Sequence, residues 1–116
     1  MSKSYKLEKY GDTYEIQLRK SEYMNNGTLA LIMVYYDEEY EEWEVWSDLT
    51  VNIDDSEIMA SETKAFVDTN NNGNDIIPWL EENGLGHSTG LVGFSGWCTY
   101  PLFEFDKEAL KEIEEY

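Results

Sequence analysis

Residues 28–36, from Thr28 through Leu31 and Met33 to Tyr36, are the longest apolar run in a chain of 116 residues. Apolar side chains at both parities of a short run define a strand covered on both faces, and such a strand needs a neighbour on each side. Period-two alternation supplies them. Upstream, Tyr14, Ile16 and Leu18 alternate with Glu15, Gln17 and Arg19, the pattern of a half-buried strand, and residues 5–10 ahead of Gly11-Asp12 read as its hairpin partner. Asn25-Asn26-Gly27 supply the intervening turn, because Asn and Gly tolerate positive φ. Downstream, beyond a loop over residues 37–42, the alternation resumes. Trp43, Val45, Ser47, Leu49, Val51 and Ile53 point one way, and Glu44, Trp46, Asp48, Thr50 and Asn52 the other. The result is an antiparallel meander with one wet face.

Helical signals come late. Residues 54–63 are polar and read as loop or a short helix, and Ala65, Phe66 and Val67 as a further short strand. Residues 75–83 have the marks of a short helix, with Pro78 tolerated in its first turn and Gly84 ending it. Gly84, Gly86, Gly90, Gly93 and Gly96 mark an irregular segment before an aromatic strand over residues 98–105. Asp106 caps a terminal helix in which Leu110 and Ile113 face the core while Glu108, Glu112 and Glu115 face water. Strands first and helices late predict an α+β fold: an antiparallel sheet, a meander of about five strands, with a short helix and a C-terminal helix. The length fits one domain over residues 1–116.

Charge narrows the function. There are 25 Asp and Glu against 8 Lys and Arg, a formal net charge of −17. Lys3, Lys6, Lys9, Arg19 and Lys20 all lie in the first twenty residues, and residues 21–63 contain twelve carboxylates and no Lys or Arg. Such an imbalance repels nucleic acid and costs folding stability by self-repulsion, so the expected partner is a basic protein. The longest apolar run is far short of the ~20 residues of a membrane span, and the first residues have no signal-peptide apolar region, so a cytoplasmic chain without a membrane partner is expected. The single Cys98 cannot form an internal disulfide and reads as a buried thiol.

Candidate chemistry is sparse. Asp68, Asn70, Asn72 and Gly73 match the first half of an EF-hand loop, with alternating oxygen ligands and a glycine at the sharp turn. At the closing twelfth position, where a bidentate Glu belongs, stands Trp79, and Asp75 takes the usual apolar eighth position. An Asn-rich turn capping a helix is the preferred reading, with a cation loop as the alternative. His87 lies among glycines, and Ser88, Ser95 and Cys98 have no recognisable elbow motif or orienting partner. No catalytic residue, metal or cofactor is expected.

The acidic run remains. Residues 36–48 hold seven carboxylates, with Tyr36, Tyr40, Trp43 and Trp46 between them. A solvated hairpin tip is the bland reading. Against it, Tyr and Trp are costly to expose and anchor interfaces, while neighbouring charges steer the encounter. Alternate residues of a strand rise ~6.7 Å, close to two ~3.4 Å steps of a DNA backbone, so Glu42, Glu44 and Asp48 stand as candidates to imitate spaced phosphates. The candidate partner-binding residues are Tyr36, Asp37, Glu38, Glu39, Tyr40, Glu41, Glu42, Glu44, Trp46 and Asp48.

Five pieces carry a family resemblance: Asn26-Gly27-Thr28-Leu29-Ala30, Leu49-Thr50-Val51-Asn52-Ile53, Ala65-Phe66-Val67-Asp68-Thr69-Asn70-Asn71, Leu80-Glu81-Glu82-Asn83-Gly84-Leu85-Gly86 with Thr89-Gly90, and Ser95-Gly96-Trp97-Cys98-Thr99-Tyr100-Pro101-Leu102. With them the chain resembles an uncharacterised family of small proteins on conjugative and other mobile elements of Gram-positive bacteria. The resemblance implies no catalytic residues. It implies a setting in which small acidic proteins disarm host defence. The expected function is therefore a non-enzymatic anti-CRISPR inhibitor, a DNA mimic that blocks DNA binding by a type II CRISPR effector nuclease. An anti-restriction DNA mimic or a regulatory partner of a conjugation protein is the alternative.

Overall fold

The computed structural model describes residues 3–23, 27–53 and 60–116. Asn25 and Asn26 of the expected turn, and residues 54–59 of the polar segment, lie outside them. Strands β1 (Ser4–Lys9), β2 (Asp12–Glu22), β3 (Leu29–Asp37) and β4 (Glu42–Asp48) form the expected meander in the order β1-β2-β3-β4, antiparallel throughout. A second sheet, in the order β5-β6-β8-β7, is built from β5 (Thr50–Val51), β6 (Lys64–Val67), β7 (Gly86–Ser95) and β8 (Cys98–Phe105). The apolar run becomes β3, interior to its sheet as expected, but the expected cover on both faces is realised only on the core side. Its outer face is only partly covered: Ala30 and Val34 are buried, Ile32 is half-buried and Tyr36 is exposed.

The core lies between the sheets. Tyr5, Leu7, Ile16, Leu18, Leu31 and Met33 of the first sheet meet Ala65, Val67, Phe103 and Phe105 of the second. Short helices close it: α1 (Thr69–Asn72), α2 (Ile76–Glu82), which buries Ile76 and Leu80, and α3 (Lys107–Lys111), which buries Leu110. Asp106 caps α3 by accepting from the Glu108 amide at 3.2 Å. The C-terminal helix is shorter than expected. Beyond Lys111 the chain turns into β9 (Glu114–Glu115), which pairs in parallel with Arg19 and Lys20 of β2. Ile113 stays buried, and the Lys20 ammonium donates to the Leu110 carbonyl at 3.0 Å, where basic groups complement a helix C-terminus.

Two expectations about the sheets are corrected. The alternation from Trp43 to Ile53 does not hold one phase, because a β-bulge places Trp46 between Val45, opposite Val34, and Ser47, opposite Met33. One extra residue exchanges the faces. Leu49 is therefore fully buried, whereas Trp43 and Val45 are exposed on the outer face. The glycine-rich segment is likewise a strand, β7, with a register shift between Ser88 and Val92. Gly93 there serves close approach: it lies against the Phe66 ring, which a Cβ would meet at 2.5 Å. Cys98, expected buried, is half-buried, because it sits at the hairpin end beside the two-residue turn at Gly96 and Trp97.

The chain changes sheets at Leu49, whose amide donates to the Leu31 carbonyl at 3.0 Å and whose carbonyl accepts from the Asp68 amide at 2.8 Å. The buried polar residues Thr50, Asp68 and Asn72 all serve this corner. Thr50 Oγ1 accepts from the Leu31 amide at 3.1 Å. The Asn72 side-chain amide donates to the Asp48 and Asp68 carbonyls at 3.0 and 2.9 Å. Replacing Asn72 with Leu removes both bonds, while the Asp68 carbonyl keeps the Asn72 backbone amide at 3.1 Å, and at about 0.5–1.5 kcal/mol for each lost bond the cost is about 1–3 kcal/mol. Urea unfolding should show the loss as a lower midpoint with an unchanged slope.

Candidate interaction surface

The acidic segment forms the end of the β3–β4 hairpin. Asp37 pairs with Glu42 across it, and Asp37 Oδ1 accepts from the Glu39 and Tyr40 amides at 2.9 and 3.4 Å, an Asx-type turn. Glu41 closes the loop at φ 54°. This fixed turn leaves the side chains of Glu38, Glu39, Glu41 and Glu42 exposed, with Tyr40 66% exposed among them. Four carboxylates and one ring thus share a single loop.

The other candidate residues separate. Tyr36 lies on the outer face, edge-on to Trp43 with ring centroids 5.5 Å apart, and the Arg19 guanidinium stands 5.5 Å over the Trp43 ring. Trp46 turns inward, 4.6 Å from the Tyr14 ring and 5.7 Å from Tyr35. Glu44 also faces inward, where its Oε2 accepts from the Tyr35 hydroxyl at 3.2 Å. Burial, that hydrogen bond and the neighbouring carboxylates push the Tyr35 hydroxyl above its ordinary value. The stability tied to it is present below the ordinary tyrosine range near 10, and is lost as pH rises through the raised value. Asp48 pairs with Ile32 and so falls on the outer face, opposite to Glu44. The expected ladder of Glu42, Glu44 and Asp48 is therefore not formed. The bulge at Trp46 breaks it, and the carboxylates gather at the loop instead.

The field across the first sheet is graded. β4, with Glu42, Glu44 and Asp48, is one edge, and β1, with Lys6 and Lys9, is the other. The Lys9 ammonium is held by the Asn72 carbonyl at 2.9 Å and lies 3.7 Å from Asp75. The EF-hand-like segment is committed to this scaffold. Asp68 Oδ1 and Oδ2 accept from the backbone and side-chain amides of Asn71 at 3.1 and 2.7 Å, capping α1. Trp79, at the twelfth position, donates its indole N–H to the Lys6 carbonyl at 2.7 Å. Among the described residues no group of three or more His, Cys, Asp or Glu is placed to hold a metal ion. No helix among them is long and apolar enough to cross a membrane.

A second surface escaped the sequence reading. Beyond the bulge, the β7–β8 hairpin carries Leu91, Val92 and Phe94, 51%, 39% and 62% exposed, and a fully exposed Trp97 at its turn. The signal was present: residues 83–103 contain no Asp, Glu, Lys or Arg in a chain that is 28% charged. Counting carboxylates draws the eye away from where they are missing.

Fold and surface define a small α+β protein of two mostly antiparallel sheets with an acidic hairpin loop at one edge. The chain belongs to the family described as a domain of unknown function (DUF4313), whose family model matches residues 17–116. That match takes in the acidic hairpin, the crossover and the charge-free arm. No curated protein and no solved structure matches the chain.

Proposed function

We propose that this protein is a non-enzymatic inhibitor that occupies the DNA-binding surface of a basic nuclease, as an anti-CRISPR protein acting on a type II CRISPR effector in the cytoplasm. The observation that carries it is the exposed loop of Glu38, Glu39, Glu41 and Glu42 around Tyr40, at the sheet edge farthest from the β1 lysines. Carboxylates held on a fixed turn offer a Lys/Arg groove the charge of a phosphate backbone without a nucleic acid's chemistry. Tyr40 adds a rigid amphipathic anchor at low entropic cost. The mimicry is that of a charged loop end and not of a strand-long ladder, since Glu44 faces the core side. The resemblance to proteins of mobile elements directs the choice of partner to a defence nuclease.

The test is competition. Guide-loaded effector is equilibrated with labelled target DNA and titrated with this protein at rising salt. Displacement of DNA that weakens as salt rises is expected, because an interface built on charge pairs is screened. Inhibition that leaves DNA bound, or that is indifferent to salt, rejects the reading. The same acidic loop suits a restriction enzyme or a basic conjugation protein, and recovery of one of these by pull-down from a host carrying both defence systems would assign that alternative.

A further inference from the structure

The two sheets end on edges of opposite design. β4 is long, exposed and lined with Glu42, Glu44 and Asp48, the charged blocking that keeps an edge strand from pairing with another chain. β7 is the edge of the second sheet, and from Gly86 to Ser95 it carries no charged residue and no proline. By register Val92 lies opposite Pro101 and Phe94 opposite Thr99, on the face of β8 that also carries Phe103 and Phe105. Phe103 and Phe105 are buried under the first sheet, while Val92 and Phe94 are exposed. The hairpin therefore runs past its own cover, with an apolar face and an open backbone edge beside a bare Trp97.

We propose that a second copy of this chain covers this arm, the two β7 strands pairing antiparallel about a two-fold axis to join the second sheets of both copies. The occupant follows from charge. A basic partner is drawn to the acidic loop and gains nothing electrostatic from a stretch without carboxylates. Two copies that each carry −17 repel over most of their surface, so contact between them costs least where charge is missing, and residues 83–103 are the longest such stretch in the sequence. An antiparallel edge is self-complementary under a two-fold axis, which closes the assembly at two copies and stops it from growing into a fibre. Leu91, Val92, Phe94 and Trp97 then bury the kind of apolar and aromatic surface that forms the centre of an interface.

Sedimentation equilibrium of the full chain tests this, from about 1 to 200 µM at low and high salt. The expected mass is twice 13.6 kDa, with the dimer favoured by added salt, since screening removes repulsion between like-charged copies. This sign is opposite to that expected for capture of a basic nuclease, so the two interactions are separable even if one fails. Phe94→Glu, at an exposed position, is expected to weaken the dimer about tenfold or more, with an unchanged thermal midpoint when measured dilute enough that parent and variant are both monomeric. Trp97→Ala, which introduces no charge, should weaken it in the same direction. A monomer at every concentration and salt overturns the proposal. So does a dimer indifferent to both substitutions, or a monomer whose arm variants lose nuclease inhibition, which would assign the arm to the target.

Discussion

Reversing Glu38, Glu39 and Glu42 to Lys is expected to abolish inhibition of the target nuclease, raising the inhibitory concentration by about a hundredfold or more. Each reversal removes one attraction and adds one repulsion against a Lys/Arg surface, and about 1 kcal/mol per site compounds to that factor over three sites. The choice of residues follows the geometry. All three side chains are exposed, and the turn is held by the Asp37 carboxylate, which accepts from the Glu39 and Tyr40 amides. Glu44 is left alone because it accepts from Tyr35 and its loss would disturb the sheet. Glu41 is left alone because its φ of 54° already strains the loop. A second variant with Glu108, Glu112 and Glu114 changed to Lys carries the same net charge, and all three positions are exposed at the other end of the molecule, around α3 and β9. If both triple variants inhibit equally poorly, bulk charge is the agent and the loop is not the site. If both inhibit like the parent, the acidic reading fails altogether.

Periodicity carried much of the fold. An apolar run at both parities gave an interior strand, and Pro78, Gly84 and Asp106 gave helix ends, because each signal is local and depends on the residue's own backbone or on neighbours within one turn. Partition into two sheets was not legible. The crossover at Leu49 depends on the Leu31 carbonyl, the Asp68 amide and the Asn72 side chain, all distant in sequence. The phase of β4 was missed for a related reason. A bulge adds one residue without altering composition, so Glu44 and Asp48 look like neighbours on one face until Tyr35 is set opposite the first and Ile32 opposite the second. At the surface, the acidic loop was visible as a charge run, whereas its division into an outer Tyr36–Trp43 pair and an inner Trp46 was decided by register. The arm at Trp97 was overlooked because five glycines in thirteen residues imitate a loop.

Those glycines furnish the second large effect. Gly86→Ala is expected to cost about 3–5 kcal/mol, enough to unfold a domain of ordinary stability, about 5–15 kcal/mol, under mild denaturant. Gly86 sits at φ +150° where α2 hands over to β7, and a Cβ there would lie 2.0 Å from the Glu104 carbonyl oxygen and 2.9 Å from the Phe103 ring. The first neighbour is the backbone of the paired strand and the second is a fully buried ring, so neither can yield without opening β7 from β8 or reshaping the core. Backbone strain at a glycine-only conformation adds a further contribution of about 1–3 kcal/mol. Gly84→Ala separates the two contributions. Gly84 has φ +72°, and no atom lies within 4 Å of the place an added methyl group would take, so only the left-handed penalty of about 1–2 kcal/mol applies. Urea unfolding of the pair measures the difference directly. A gap of about 2 kcal/mol or more assigns the excess to the close approach of β7 on β8, and equal midpoints would mean that the strand begins with more room than the Glu104 carbonyl allows.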